Sequence, residues 1–492
     1  QHKLTNNHIA LEALRLLLAD TAARYDKRSS GWCFLADAEA AFSNSALRQV
    51  SLETQHAFGA IGYAEEHEAP RHFKQVHQDV LRFGGARRAR EALARHLLDD
   101  GLAIPEYDLG PEGNAFRKEV GQWLDQHWTP ERQAAMRARP NAHREFDPEF
   151  ARELGATGWI GLNWPKQFGG QDRSPVEYVA FIEQMERAEA PRAGAPIQSV
   201  AWMMFGSEEQ QQRYLPEILR GEVIYGMWYS EPDSGSDLAS LRTRAVRDGD
   251  HWVVNGQKIW TTTYWGDYMW LAVRTDAEAK PAHAGISVFC VPTNTPGITI
   301  RPMKTMYDGE FVNTFFDNVR IPASALVGKL NGGWEVLTGS LGTERSVVGA
   351  TVVAKLTHAF ELLCDYIRRV ETDSGPLRLD PIVRDQIGSL AGQLEAARQL
   401  AMHCVTVSGQ GESPQHLAAM TKVFGGELME RMFEAAQDIL GMEAALSRSS
   451  PGAILQGRLE QKLRHSLMWV ISLGTNEIQR NVIAQRGLGL PR

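Results

Sequence analysis

The sequence has no run of about eighteen uninterrupted apolar residues, the length a membrane-spanning helix requires. It opens on Gln1-His2-Lys3, without the basic-then-apolar layout of a secretory leader, so a cytoplasmic chain with no membrane partner is expected. Cysteine is scarce. The four residues Cys33, Cys290, Cys364 and Cys404 lie far apart with no Cys-x-x-Cys spacing. That indicates neither a zinc site nor a disulfide framework, and leaves them as small buried hydrophobes of a reducing compartment. No metal is expected. Positive charge is also in deficit: 52 Lys and Arg stand against 60 Asp and Glu, a formal net charge of −8. This gives no global attraction for nucleic acid, although a local basic patch can hide inside an acidic total, and no nucleic-acid partner is expected. What the chain does have is length. Its 492 residues, 43% of them hydrophobic, exceed one ordinary domain and can bury several cores.

Periodicity divides the chain. Residues 1–103 read as almost wholly helical, with apolar residues at helical spacing in Leu11, Leu14, Leu17 and Leu18 and again in Val80, Leu81, Leu93 and Leu97. A Pro- and Gly-bearing linker follows at 104–111. Residues 112–220 are again mostly helical, broken by the Gly-rich turn Trp164-Pro165-Lys166-Gln167-Phe168-Gly169-Gly170. From 221 to 330 the period becomes that of strands. Trp252-Val253-Val254, Tyr268 to Val273, Ile286 to Val291 and Thr314-Phe315-Phe316 are separated by turns at Asp248-Gly249-Asp250, Asn255-Gly256 and Thr295-Pro296-Gly297. A small β-barrel or sandwich is predicted there. Long helices occupy 331–492, beginning at Gly332-Gly333-Trp334. The whole is an α+β arrangement, in which a cleft beside the β module would suit a flat cofactor.

Three segments carry most of the chemistry. They are Trp228-Tyr229-Ser230-Glu231-Pro232-Asp233-Ser234-Gly235-Ser236-Asp237-Leu238, Asn255-Gly256-Gln257-Lys258-Ile259-Trp260-Thr261-Thr262 and Gly474-Thr475-Asn476-Glu477-Ile478-Gln479-Arg480-Asn481. A turn dense in Gly, Ser and Asp presents backbone N–H groups and hydroxyls with little bulk, which suits a flavin edge and a phosphate. Either of the first two alone reads as well as an ordinary hairpin turn plus a core Trp as it does as a flavin contact. In this order, over about residues 108–492, they resemble the signature segments of acyl-CoA dehydrogenases. Gly158 to Pro165 and Phe315 to Pro322 support the same resemblance. It implies an FAD flavoprotein of that fold: an N-terminal helical domain, a middle β domain and a C-terminal helical bundle, here preceded by an extra helical segment. It implies that Tyr229 and Ser230 lie beside the flavin ring, with Gly235 and Ser236 toward the pyrophosphate and Ser236 also toward the acyl chain. It places Trp260 against the isoalloxazine face, gives the Thr262 hydroxyl to its reactive nitrogen region, and adds Thr475 and Glu477 to the cofactor contacts.

Dehydrogenation needs a carboxylate to take the proton α to the thioester while the β-hydrogen leaves as hydride, and a dry pocket around it. Many family members place that acid immediately before the Gly-Thr of the C-terminal signature, where this sequence has Leu473. A second family solution puts a Glu before an Arg on the first long helix of the bundle. Leu341-Gly342-Thr343-Glu344-Arg345 stands there, making Glu344 the candidate base and Arg345 a substrate-positioning neighbour. The alternative is that the two are a solvated helix pair. The Leu473 backbone N–H remains able to polarise the thioester carbonyl, since that bond needs no side chain.

Other positions depart from the family. Arg368 to Gly375 lacks the usual Arg-x-x-Phe-Gly, and Asp438 replaces a Gln that holds the partner's ADP half of FAD. Residues 1–103, with Thr54 to His67, resemble the C-terminal helices of another acyl-CoA dehydrogenase, with His56 where the adenine-contacting Gln is usual. The chain thus resembles the tail of one copy joined to a second copy, as in double-copy or heteromeric enzymes of bacterial steroid side-chain degradation. Truncation and incomplete coverage both stay open, as does a helical docking module with no cofactor role. The segment from Ala190 to Pro196 is shorter than the family pattern, which implies either a wider acyl pocket or missing residues. The expected partners are an acyl-CoA, an electron-transfer flavoprotein, and either a twin of fused halves or an unlike subunit. An oxidase using O2 and a non-catalytic, DNA-associated relative are the alternatives. The 13 Trp and 18 Phe fit a bulky steroid acyl group and an ordinary core equally well.

Overall fold

The structure, a computed structural model, describes residues 1–139, 146–191, 193–307, 309–411, 415–448 and 450–491, and along 341–347 the backbone only. Two compact units divide it: Gln1–Gly110 with Arg345–Arg492, and Pro111–Glu344.

The first unit is helical. It comprises α1 (His2–Asp26), α2 (Trp32–Phe58), α3 (Glu68–Arg82) and α4 (Gly85–Ala94), and later the long α11 (Gly333–Arg369, in this unit from Arg345), α12 (Pro381–Gly409), α13 (Gln415–Leu440), α14 (Arg458–Ile471) and α15 (Asn476–Val482). Helix α1 buries Thr5, Ile9, Ala13, Leu17 and Thr21, a stripe spaced by four, against α2 and α12. The leucine spacing predicted a different stripe. Leu17 is buried, but Leu11 and Leu18 are 42% and 51% exposed, because small and hydroxyl side chains take the close face between packed helices. In α3 Val80 is likewise buried while Leu81 is 70% exposed.

One hydrophobic cluster fills this unit, joining Leu17, Leu35 and Leu93 to Phe360, Ile387 and Leu394. Residues 1–103 therefore share a core with the C-terminal helices. Two glycines of α12 permit the approach: a Cβ on Gly388 would meet the Arg90 carbonyl oxygen at 2.2 Å, and one on Gly392 the Ala38 oxygen at 3.0 Å. Around that contact Arg384, largely buried, pairs with Glu91 at 2.7 Å and Asp99 at 2.9 Å. Arg398 donates to the Pro105 carbonyl at 2.7 Å, tying the linker to the bundle.

The second unit begins with α5 (Gly110–His127, its first residue in the other unit), α6 (Pro130–Ala138), α7 (Pro148–Ala156), α8 (Pro175–Arg187), α9 (Pro196–Phe205) and α10 (Glu208–Leu219). Ser174 with Glu177 and Ser207 with Gln210 form capping boxes that start α8 and α10. The predicted Gly-rich break folds back on itself, since a Cβ on Gly170 would meet the Trp164 oxygen at 2.1 Å.

Eight strands follow: β1 (Tyr225–Trp228), β2 (Arg244–Asp248), β3 (His251–Thr261), β4 (Tyr268–Arg274), β5 (Ile286–Pro292), β6 (Ile298–Lys304), β7 (Glu310–Pro322) and β8 (Leu326–Val327). They form one sheet in the order β6-β7-β3-β2-β4-β5-β8, with β1 beside β4. Strand β4 is buried on both faces: Met269, Leu271 and Val273 join one core, Trp270 and Ala272 the other, with Trp202 and Leu215 of the helices. The four strands predicted from sequence are present, in longer form. Asn255-Gly256 is a correction, because it lies inside β3 and not at a turn. Gly256 takes φ 148° at a register shift, and a Cβ there would meet Thr243 Oγ1 at 2.6 Å, so the glycine marks a bulge. Two short hairpin strands, β9 (Glu371–Thr372) and β10 (Gly375–Pro376), follow α11 in the first unit.

Cys290, Cys364 and Cys404 are buried as expected, whereas Cys33 is exposed near the start of α2. Among the described residues no helix is long and apolar enough to cross a membrane.

Candidate functional site

The turn after β1 is organised by a buried charge pair that the sequence reading left without a role. Lys258, fully buried on β3, donates to Glu231 Oε1 and to the Tyr229 carbonyl, both at 2.8 Å. Glu231 also accepts from the backbone N–H of Arg242 at 2.6 Å and of Thr243 at 2.8 Å. Burial alone would raise the Glu231 carboxyl, but Lys258 and these donors hold it below its ordinary range. Burial pushes the Lys258 ammonium down to about 8, with Glu231 pulling it back. At 2.8 Å the two form a buried ion pair. Ser234 Oγ donates to the Asp237 carbonyl at 2.7 Å, and the Ile259 N–H to the Ser230 carbonyl at 2.9 Å. The chain is thereby pinned on both sides of an exposed tip at Gly235 and Ser236, where a Cβ on Gly235 would meet nothing within 4 Å. Tyr229 and Ser230 are half-buried at its base.

Removing one partner of such a pair strands the other. Lys258→Met is expected to cost about 3–5 kcal/mol of stability, read as a lower thermal midpoint. Glu231→Gln combined with Lys258→Met is expected to recover most of the loss. A single variant as stable as wild type would show that the pair does not hold the turn.

The end of β3 carries the second feature. Trp260 sits at a left-handed φ of 70°, at a register shift between Ile259 and Thr261. That conformation costs a non-glycine residue roughly 1–2 kcal/mol. It is imposed from both sides, by the bond from Ile259 and by Thr261 Oγ1 donating to the Met227 carbonyl at 2.7 Å. The result is an indole turned outward, 55% exposed, and set nearly perpendicular to the Phe311 ring at 5.6 Å. Thr262, next in the chain, is half-buried. The bulge thus brings Trp260 and Thr262 to the end of the strand that Lys258 ties to Tyr229.

In the other unit, Leu473 and Gly474 both take left-handed conformations, at φ 58° and 79°, between α14 and α15. Gln479 Nε2 donates to the Leu473 carbonyl at 2.7 Å. Lys422 on α13 donates to the Gly474 carbonyl at 2.9 Å, to Asn476 Oδ1 at 2.7 Å and to the Val470 carbonyl at 3.3 Å. Thr475 caps α15 by accepting from the Ile478 N–H, and exposed Glu477 has its carboxyl lowered by its own backbone N–H and the Thr475 hydroxyl. The departures found in the sequence are also placed. Exposed His56 meets Lys3 Nζ at 2.6 Å, Arg368 donates to the Leu97 carbonyl at 2.9 Å, and Asp438 is exposed on α13. Glu344 and Arg345 fall on α11, and their side chains lie outside the described residues.

Glu231, Lys258 and Gln479 lay inside the segments singled out by sequence; Lys422 did not. Their signal was phase. Lys258 alternates into the apolar face of β3, and Lys422 sits among Met420, Thr421 and Val423 on a helix buried nearly all round.

Residues 110–222, 226–319 and 331–488 match, in order, the N-terminal, middle and C-terminal domains of acyl-CoA dehydrogenase. The chain belongs to the acyl-CoA dehydrogenase family, and it is an oxidoreductase. It is 36% identical over 398 residues to acyl-CoA dehydrogenase FadE26 of Mycobacterium tuberculosis, covering 78% of this chain and 98% of that relative. Among solved structures it resembles the Tcur3481-Tcur3483 steroid ACAD with a TM-score of 0.72 at 34% identity, over 78% of this chain and 100% of that one. It also resembles the ChsE4-ChsE5 complex from Mycobacterium tuberculosis with a TM-score of 0.69 at 33% identity, over 80% and 100%. The resemblance seen in the sequence, including that to heteromeric steroid enzymes, holds.

Proposed function

We propose that the protein is a cytoplasmic FAD-dependent enzyme that dehydrogenates an acyl-CoA thioester to its trans-2-enoyl-CoA, with a bulky steroid side-chain acyl group as substrate. The observation that carries this reading is the outward indole of Trp260, held at a strained bulge whose strand is tied by a buried ion pair to the turn bearing Gly235 and Ser236. A flat exposed indole, a half-buried hydroxyl at Thr262 and a glycine tip open to close approach fit a flavin and its pyrophosphate. FAD, when bound, supplies the two-electron acceptor of this chemistry. Tyr229, Ser230, Gly235, Ser236, Trp260, Thr262, Thr475 and Glu477 would hold it. Glu344 takes the α-proton, Arg345 orients the substrate beside it, Ser236 borders the acyl chain, and the Leu473 N–H donates to the thioester carbonyl. Two of the solved structures it resembles are named as a steroid enzyme and as a two-protein complex, which supports the substrate class and an unlike partner.

Residues 1–103 act in this reading as the tail of an upstream copy, and their common core with the C-terminal helices supports paired halves within one assembly, one of which turns over. Electrons pass to an electron-transfer flavoprotein. Anaerobic titration of the purified flavoprotein with a short-chain, a branched and a steroid acyl-CoA is expected to bleach the flavin most completely with the steroid ester. A flavin that none of them bleaches would sink the enzymatic reading. Peroxide formed at the rate of turnover in air would replace the dehydrogenase by an oxidase.

A further inference from the structure

We infer that Lys422 and Gln479 are positioning residues that clamp the turn at Leu473 and Gly474 and so aim the Leu473 N–H at the thioester carbonyl of the substrate. The inference rests on the acyl-CoA reading above.

The turn does not hold its shape unaided. A left-handed leucine costs roughly 1–2 kcal/mol, and a left-handed glycine follows it directly, so this stretch of backbone relaxes unless its peptide planes are gripped from outside. Both grips come from side chains. Gln479, buried on α15, fixes the Leu473 carbonyl at 2.7 Å, and Lys422 fixes the Gly474 carbonyl at 2.9 Å and the Val470 carbonyl at 3.3 Å. The peptide that bears the Leu473 N–H is therefore spanned between anchored points on either side. Among the described residues no acceptor takes that N–H. Lys422, Leu473 and Gln479 also line one small crevice with Val348 and Ala418.

Lys422 is an uneconomical residue for mere stability. It is buried, and all three of its bonded acceptors are neutral: the Gly474 and Val470 carbonyls, the latter at longer reach, and the Asn476 amide oxygen. Glu427, Glu430 and Glu477 act on it only through space, opposed by Arg480. Burial pushes its ammonium down to about 8. A well-packed apolar side chain of similar length would hold helices together at less desolvation cost. What methionine or leucine would not supply is a multivalent donor that fixes carbonyls on both sides of one turn.

The test uses the full-length flavoprotein and counts rate per bound flavin. Lys422→Met and Gln479→Leu are each expected to keep flavin content and spectrum. Each is expected to slow flavin reduction at saturating acyl-CoA by about 10- to 100-fold, with KM changed by less than about threefold, because the carbonyl bond strengthens as charge develops in the transition state. A merely structural clamp would lower yield or thermal midpoint and leave the rate per flavin at the wild-type value, and that result in either variant overturns the inference. If Lys422→Met does not fold, Gln479→Leu carries the test. Failure of the underlying reading looks different, because wild type itself would then leave its flavin unbleached.

Discussion

Glu344→Gln is expected to leave the flavin absorbance intact and to cut acyl-CoA turnover by about 10²- to 10⁴-fold, the range a positioned general base contributes. An intact Gly474-Thr475 signature is preceded by a leucine, whose side chain has no lone pair to offer a proton. The α-proton of a thioester is weakly acidic, so its removal needs both a carbonyl polarised by a donor and a carboxylate sheltered from water. In the proposed reading the main-chain N–H of Leu473 meets the first requirement, and Glu344, directly before Arg345 on α11, meets the second. Glutamine preserves size and hydrogen bonding and removes only basicity, so binding of flavin and substrate should persist while flavin reduction in a single turnover does not. Reduction at the wild-type rate in the purified variant would remove Glu344 from the mechanism.

The legible and illegible parts of this molecule differ for physical reasons. Strands β4 and β5 were readable because both of their faces are buried, so β-branched and aromatic residues run continuously through them. Strand β6 was not, since Arg301, Pro302 and Lys304 guard an exposed sheet edge and break any apolar pattern. Asn255-Gly256 carries the composition of a hairpin turn, yet pairing with β7 continues through it and the glycine is used for a bulge. In α1 the leucines misled, because the face against α2 and α12 admits alanine and threonine where the helices approach closely. The exposed residues of the candidate site, Gly235, Ser236 and Trp260, were legible as ordered segments. The buried lysines Lys258 and Lys422 were not, because a lysine is ordinarily assigned to solvent and the phase that turns each one inward is easily passed over.

Gly388→Val is expected to destabilise the helical unit by about 3 kcal/mol or more and to loosen residues 1–103 and α12 together. A Cβ at position 388 would lie 2.2 Å from the Arg90 oxygen, 2.5 Å from its Cα and 2.6 Å from its carbonyl carbon. All three are backbone atoms of α4, so no rotamer relieves the overlap and the two helices must part, at the upper end of what overpacking costs. Parting them opens the cluster that joins Leu93 to Ile387 and draws Arg384 from Glu91 and Arg90 from Asp385. Because that cluster is continuous, residues 1–103 do not come away as a module from an intact bundle. Amide exchange should accelerate in α2, α4 and α12 alike, and the thermal midpoint should fall. Leu81→Ala, at a side chain 70% exposed, should stay within about 0.5 kcal/mol of wild type. Faster exchange confined to residues 1–103, with α12 and α13 as protected as in wild type, would show instead that this segment is docked on a bundle that is stable without it, and would end the case for paired halves built on a common core.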